Sequence, residues 1–143
     1  MSDTPTGTGD DRALAARLAA CRSIADFLAL WFELPLLPAE QQRVFDAHYA
    51  DNRRHLPPRM RALYARQTDE LIALARAQPG CRVLEIGSGS GSESLWLAML
   101  GAHVLGVDLR AGRVAVARAR QDVVERALPV PSTADSRSAR CST

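Results

Sequence analysis

A short apolar run that ends in a glycine-rich loop constrains the fold of this chain more than any other feature. Arg82–Ile86 is rich in β-branched and apolar residues, and Gly87, Gly89 and Gly91 follow it at alternate positions. The run is too short for helical periodicity and stops at glycines, so it predicts a buried strand. After the loop, residues 92–100 predict a helix that Gly101 ends.

A second strand and a second helix follow in the same order. His103–Asp108 predicts the second strand, and residues 109 to about 128 predict the second helix. A β-α-β-α order requires parallel strands joined by a right-handed crossover. The sequence therefore predicts an α/β fold that begins an open, doubly wound parallel sheet.

The region before this unit is predicted to be helical. Apolar residues recur at steps of three and four from Leu14 to Trp31, which predicts one amphipathic helix capped by Asp10 or Asp11. Pro35 and Pro38 break the pattern. Two further helices are predicted, from Ala39 to about Tyr49 and from Pro57-Pro58 to about Gln78.

These patterns divide the chain into four parts. Residues 1–10 and 129–143 are rich in Ser, Thr, Pro or Gly and contain few apolar side chains. Their burial would not offset the entropy lost on ordering, so both are expected to be unstructured tails. Between them lie a helical region over residues 11–78 and an α/β region over residues 79–128.

The glycine loop and the end of the second strand have the properties of a cofactor site. Glycines at the carboxyl end of a strand allow a sharp turn and close approach of a ligand, and the next helix directs its free N–H groups toward that ligand. Asp108 lies twenty-one residues after Gly87, where an acid accepts hydrogen bonds from both hydroxyls of a ribose. The combination predicts an adenosine-containing cofactor.

Two classes of cofactor compete for such a loop. Dinucleotide-binding proteins use G-x-G-x-x-G, in which the third small residue packs the helix onto the strand. That position is Ser92 here, and the third glycine comes one residue earlier, at Gly91. The spacing argues against NAD(P), which remains an alternative as a fragment of a Rossmann oxidoreductase.

The run from Glu85 to Gly91 resembles the E/D-x-G-x-G-x-G motif of class I S-adenosylmethionine-dependent methyltransferases, and Val107-Asp108-Leu109 resembles their second motif. The resemblance implies the N-terminal half of a Rossmann-like sheet and S-adenosylmethionine as the cofactor. It implies that Glu85 holds the methionine end, which carries an ammonium group, and that Asp108 binds the ribose. The implied cofactor-binding residues, none of them a catalytic base, are Glu85, Gly87, Ser88, Gly89, Gly91 and Asp108.

The resemblance also sets an expectation about completeness. Members of this family are similar to one another in having a seven-stranded sheet, in which the methyl-acceptor site follows the fourth strand. Only two strands are predicted in this sequence. We therefore expect a truncated or frameshifted methyltransferase, inactive in methyl transfer, whose methyl acceptor the sequence does not identify. A two-stranded pair leaves sheet edges and one face open, which predicts a complementing chain or self-association. A non-catalytic interaction module in residues 11–78 is the third alternative.

Composition narrows the remaining possibilities. A net charge of +2 gives no nucleic-acid signal, and no run is apolar enough for a membrane span, nor does the start resemble a secretory signal. Cys21, Cys81 and Cys141 are odd in number and far apart, so neither a disulfide framework nor a metal site is predicted. We expect a cytoplasmic protein, and the use of arginine to the exclusion of lysine suggests a bacterial source.

Overall fold

The computed structural model describes residues 9–54, 58–74, 78–128 and 134–138. Within these ranges the chain forms six helices and three strands. In chain order they are α1 (Gly9–Ala20), α2 (Ile24–Glu33), α3 (Ala39–Arg54), α4 (Pro58–Leu74), β1 (Arg82–Ile86), α5 (Ser92–Met99), β2 (His103–Asp108), α6 (Ala111–Ala127) and β3 (Ala134–Ser138).

The strands form a parallel sheet in the order β1-β2-β3. Val83 pairs with Val104 and Ile86 with Val107, so β1 and β2 end side by side at the glycine loop. The predicted bounds of both strands are confirmed, as is the α/β class with helices before the sheet. The prediction that the first strand is buried is wrong, because the residues of β1 alternate between exposed and half-buried. The aligned carboxyl ends of these strands position the loop beside Asp108.

The third strand was not predicted. We expected residues 129–143 to be unstructured, which is wrong for Ala134–Ser138, because this segment pairs in parallel with β2. Its sequence, Ala-Asp-Ser-Arg-Ser, has no β-branched residue, so the pairing depends on backbone hydrogen bonds to β2 rather than on local propensity. The rest of that predicted tail lies outside the described residues.

The single helix predicted from Asp10 or Asp11 to Trp31 is two helices. The chain leaves α1 after Ala20 and enters α2 at Ile24, with Ser23 as the N-cap. The Ser23 hydroxyl accepts from the Asp26 N–H at 3.2 Å, and the Asp26 carboxylate accepts from the Ser23 N–H at 3.1 Å. This capping box satisfies two N–H groups at a new helix start, which the continuous apolar spacing concealed.

The ends of the chain and of the other helices differ from the prediction in detail. Residues 1–8 of the predicted 1–10 tail lie outside the described residues, whereas Gly9 and Asp10 begin α1. The helix α3 extends to Arg54, one turn or more beyond the predicted end near Tyr49. None of the helices in the described ranges is long and apolar enough to cross a lipid bilayer.

One hydrophobic core joins the helical region to the α/β unit. It contains side chains from α1, α2 and α3 together with α5 and α6, among them Leu18, Phe27, Phe45, Trp96 and Val116. The opposite face of the sheet is exposed at β1, where Leu84 is 60% exposed and Ile86 is 82% exposed. The predicted uncovered face is present at β1, whereas Leu105 and Val107 on the same face of β2 are half-buried, and the described helices pack against the other side.

Candidate cofactor site

The glycine loop turns back over the end of the sheet. The N–H groups of Gly87 and Ser88 both donate to the carbonyl of Val107, at 2.8 and 3.0 Å. Gly91 then donates to the carbonyl of Ser88 at 2.9 Å. These bonds hold the loop against β2 and direct the chain into α5.

Gly91 is the position at which a side chain is least tolerated. Its φ is 77°, in the left-handed region, and a Cβ atom there would lie 2.9 Å from the Cβ of Ala117. The close approach of the loop to α6 therefore requires glycine. Gly91 is also the N-cap of α5 and offers no capping side chain, so N–H groups of the first turn stay available to a ligand.

Asp108 joins the loop to the start of α6. Its Oδ2 accepts from the N–H of Gly89 at 2.9 Å, and its Oδ1 accepts from the N–H of Arg110 at 2.8 Å. The Arg110 N–H is the main reason that the pKa of Asp108 lies below its ordinary value. The carboxylate is thus ionised and oriented before any ligand binds.

Glu85 lies at the other side of the loop, under the first turn of α5. Its carboxylate accepts from the hydroxyl of Ser94, and the missing side chain of Gly106 leaves room for the hydroxyls of Ser94 and Ser88. Burial raises the pKa of Glu85 to about 7, although the Ser94 hydrogen bond acts in the opposite direction. A cationic partner would restore the charged form of this carboxylate.

Ser88 is turned toward the protein interior. The residue is 5% exposed, its N–H donates to the Val107 carbonyl in β2, and its carbonyl accepts from the Gly91 N–H. Ser88 therefore holds the loop in place, and a direct contact of Ser88 with a cofactor stays a prediction.

Two residues that sequence reasoning did not assign also contact the loop. The Tyr49 hydroxyl lies 3.1 Å from Ser90 Oγ and 2.8 Å from Ser92 Oγ. Arg120 Nη1 donates to the Ser90 carbonyl at 2.9 Å and to Ser92 Oγ at 2.8 Å. A signal for Arg120 exists in the sequence, because it stands at helical spacing between the buried Val116 and Val124 of α6.

The assembled site suits a ligand with two different ends. The Asp108 carboxylate has acceptor positions beyond those that the two N–H groups use, and the Glu85 carboxylate has no cationic partner among the described residues, with glycine backbone between them. Glu85 disfavours a pyrophosphate at the same place, because like charges repel. In the described ranges no group of three His, Cys, Asp or Glu side chains is arranged to hold a metal ion.

Comparison with known proteins agrees with this geometry. Residues 84–136, which include the loop and Asp108, match the family model of a methyltransferase domain. No curated protein matches the chain significantly.

Several solved structures are similar to parts of the chain. An S-adenosylmethionine-dependent methyltransferase from Geobacter sulfurreducens, in complex with S-adenosyl-L-homocysteine, is 25% identical over 74% of this chain and 38% of its own, with a TM-score of 0.45. WbdD is 30% identical over 55% of this chain and 16% of its own, with a TM-score of 0.40. A protein from a study of disulfide-to-thioacetal conversion in echinomycin biosynthesis is 31% identical over 49% of this chain and 27% of its own, with a TM-score of 0.38. The chain thus spans less than two-thirds of each solved chain.

Proposed function

We propose that this chain binds S-adenosylmethionine at the glycine loop, because residues 84–136 match the family model of a methyltransferase domain and the loop resembles the first motif of class I S-adenosylmethionine-dependent methyltransferases. In this proposal the chain supplies the cofactor-binding part of a methyltransferase.

The observation that carries the proposal is the double anchoring of Asp108. The two carboxylate oxygens offer about four acceptor positions, of which the N–H groups of Gly89 and Arg110 use two. The remaining positions suit two vicinal hydroxyls. Because the carboxylate is already held by backbone, little ordering entropy is lost when a ribose binds.

Glu85 supports the methionine end of the same ligand. Its carboxylate is largely buried and has a hydroxyl donor in Ser94 but no cationic partner among the described residues. An ammonium group of the cofactor would supply that partner and compensate for burial. The free N–H groups at the start of α5 favour a carboxylate nearby, so an amino acid moiety matches this side of the loop.

When bound, S-adenosylmethionine supplies a methyl group on a sulfonium, which an acceptor nucleophile takes by in-line displacement as the carbon–sulfur electron pair returns to sulfur. The residues of this chain contribute by holding the cofactor in one orientation. Glu85 and the glycines orient the amino acid part, and Asp108 orients the ribose.

Calorimetry of the purified chain tests the proposal. S-adenosylhomocysteine should bind, and Asp108→Ala should weaken that binding at least about tenfold through loss of charge-assisted hydrogen bonds. The matched control is Asp122→Ala, which removes an exposed carboxylate on α6 and should leave affinity unchanged. Binding of NADH instead of S-adenosylhomocysteine would favour the dinucleotide alternative, and binding of neither would contradict the proposal.

We propose a cytoplasmic location for the chain, on the basis of its dispersed cysteines. Cys21 and Cys81 are both free thiols, 60 positions apart, as a reducing compartment allows. Cell fractionation with antibody detection tests this location.

A further inference from the structure

The guanidinium of Arg120 is buried behind the glycine loop. Its residue exposure is 0%, although α6 carries it and most arginines reach solvent. Nη1 makes both of its hydrogen bonds to the loop segment, to the Ser90 carbonyl and to Ser92 Oγ. In the part of the chain that the structure describes, Nε and Nη2 have no hydrogen-bond partner.

Aromatic side chains of the helical region surround this cation. The Cζ atom lies 4.6 Å from the ring centroid of Trp31, 5.1 Å from that of Phe45 and 5.5 Å from that of Phe27. Cation–π attraction compensates for part of the lost hydration. Burial still lowers the pKa of Arg120 to about 10, so the group remains charged at neutral pH.

Such an arginine is poorly explained by stability alone. A buried cation with unpaired N–H groups is costly, and an apolar side chain of similar volume is often neutral or stabilising in its place. What an apolar side chain would not supply is the donor to the Ser90 carbonyl, which lies between the two loop glycines Gly89 and Gly91. The cost of burying the Arg120 guanidinium is therefore found together with its hydrogen bond to the Ser90 carbonyl, which shapes the proposed cofactor site.

We propose that Arg120 is a positioning residue for the cofactor loop, which it holds through Ser90 and Ser92 in the conformation that receives the ligand. This inference rests on the proposed function and adds a residue to it. Arg120 acts from behind the loop, by donating to the Ser90 carbonyl and to the Ser92 hydroxyl.

Tyr49 extends the same network to the helical region. Its hydroxyl shares Ser92 Oγ with Arg120, and its ring packs against Phe45 at a centroid distance of 4.8 Å. The loop is thereby hydrogen-bonded to α3 and to α6 at once. Cofactor binding and the docking of α3 are consequently linked, and each should stabilise the other.

The test compares Arg120→Met, Arg120→Lys and Tyr49→Phe with the original chain, and uses Arg126→Met, an exposed arginine in the last turn of α6, as the matched control. Three quantities are measured: the thermal midpoint, the affinity for S-adenosylhomocysteine, and amide hydrogen exchange at Gly89 and Gly91 without ligand. Arg120→Met should keep the midpoint within a few degrees, increase loop exchange, and weaken binding about tenfold. Arg120→Lys should restore part of the affinity, because the ammonium still donates.

The outcomes separate this inference from the proposed function. Failure of the original chain to bind would contradict the cofactor proposal, whereas loop exchange in the unliganded variants still decides the role of Arg120. Unchanged exchange at Gly89 and Gly91 in Arg120→Met would overturn the inference. So would a fall in midpoint that raises exchange equally in β1 and α2. If Arg120→Met does not fold, Ser92→Ala decides, because it removes the hydroxyl that accepts from Arg120 Nη1, and unchanged exchange at Gly89 and Gly91 in that variant would overturn the inference.

Discussion

The Oδ2 atom of Asp108 accepts a hydrogen bond of 2.9 Å from the backbone N–H of Gly89. This bond crosses from the end of β2 to the middle of the loop that follows β1, so the two strand ends act as one unit. Two acids at opposite sides of that unit, Asp108 and Glu85, differ in their environment. Backbone donors lower the pKa of Asp108, whereas burial raises that of Glu85 to about 7.

Glu85 should make the stability of the unliganded chain depend on pH. Its folded pKa of about 7 lies above the ordinary value of 4.5, so its contribution is fully present below pH 4.5 and is lost as the pH rises through about 7. The side chain in Glu85→Gln does not ionise. At pH 8 the free energy of unfolding of this variant should therefore exceed that of the original chain by about 1–2 kcal/mol, because solvent screening lowers the full effect of the pKa shift. Denaturant unfolding at pH 4.5 and pH 8 measures the difference. The exposed Glu40→Gln is the control, and an equal pH response in both variants would contradict the assignment to Glu85.

The same carboxylate should make cofactor affinity depend on pH in the opposite sense. Only ionised Glu85 pairs with the ammonium group, so binding of S-adenosylhomocysteine should tighten between pH 6 and pH 7.5. Calorimetry across this range should show a flat profile for Glu85→Gln. A profile that keeps its slope in this variant would show that another group titrates.

Gly91→Ala should be the most damaging substitution in the loop. The positive φ and the 2.9 Å approach to Ala117 Cβ together should cost about 2–4 kcal/mol of unfolding free energy. Gly112→Ala is the control, because no atom lies within 4 Å of its added Cβ and its φ is not positive. Chemical denaturation should find that control equal to or up to about 1 kcal/mol more stable than the original chain. Equal effects of the two substitutions would contradict the packing at Gly91.

Ser23→Ala should destabilise the start of α2. The substitution removes the hydroxyl that accepts from the Asp26 N–H, at an expected cost of about 1 kcal/mol. Ser23→Gly should cost only a few tenths of a kcal/mol, which makes it a matched comparison by thermal unfolding. An intact continuous helix through residues 21–23 would instead make glycine the more harmful of the two.

The open sheet face should promote association between copies of the chain. Leu84 and Ile86 form an exposed apolar surface on β1, and exposed apolar patches of this kind favour contact between proteins. The double variant Leu84→Thr, Ile86→Thr should reduce concentration-dependent association in sedimentation experiments while unfolding free energy changes by no more than about 0.5 kcal/mol. Leu71→Thr, at a residue 65% exposed on α4, controls for lost surface hydrophobicity. A chain that stays monomeric at every concentration would contradict this prediction.

The strands next to the loop were predictable because local chemistry determines them. Residues Arg82–Ile86 and His103–Asp108 are bounded by glycine, proline or the acid at the strand end, and each has the β-branched or apolar content that is typical of a strand. The strand Ala134–Ser138 lacks β-branched residues, so its sequence does not indicate a strand and only its pairing with β2 identifies it as one. The break at Ser23 was signalled by Ser23 and Asp26 at capping-box spacing, but the apolar periodicity on either side favoured one helix.

The grouping of the candidate residues was predictable where the order of strands and helices determines it. Glu85, Gly87, Gly89, Gly91 and Asp108 all belong to strand ends and their loop, and the structure gathers them as the β-α-β order requires. Tyr49 and Arg120 were not predicted, because their contacts with Ser90 and Ser92 join residues 28 to 43 positions apart. An arginine in a helix is usually solvated, and only the packing of α2, α3 and α6 shows that this one is buried.

The most direct test of the central claim is nuclear magnetic resonance of the isotope-labelled chain during titration with S-adenosylhomocysteine. Binding at the loop should shift the amide signals of Gly87, Gly89 and Asp108 in a saturable manner, while the signals of Gly101 and Gly112 stay in place. Absence of shifts at saturating ligand, or saturable shifts confined to residues away from the loop, would contradict the assignment of this loop as the cofactor site.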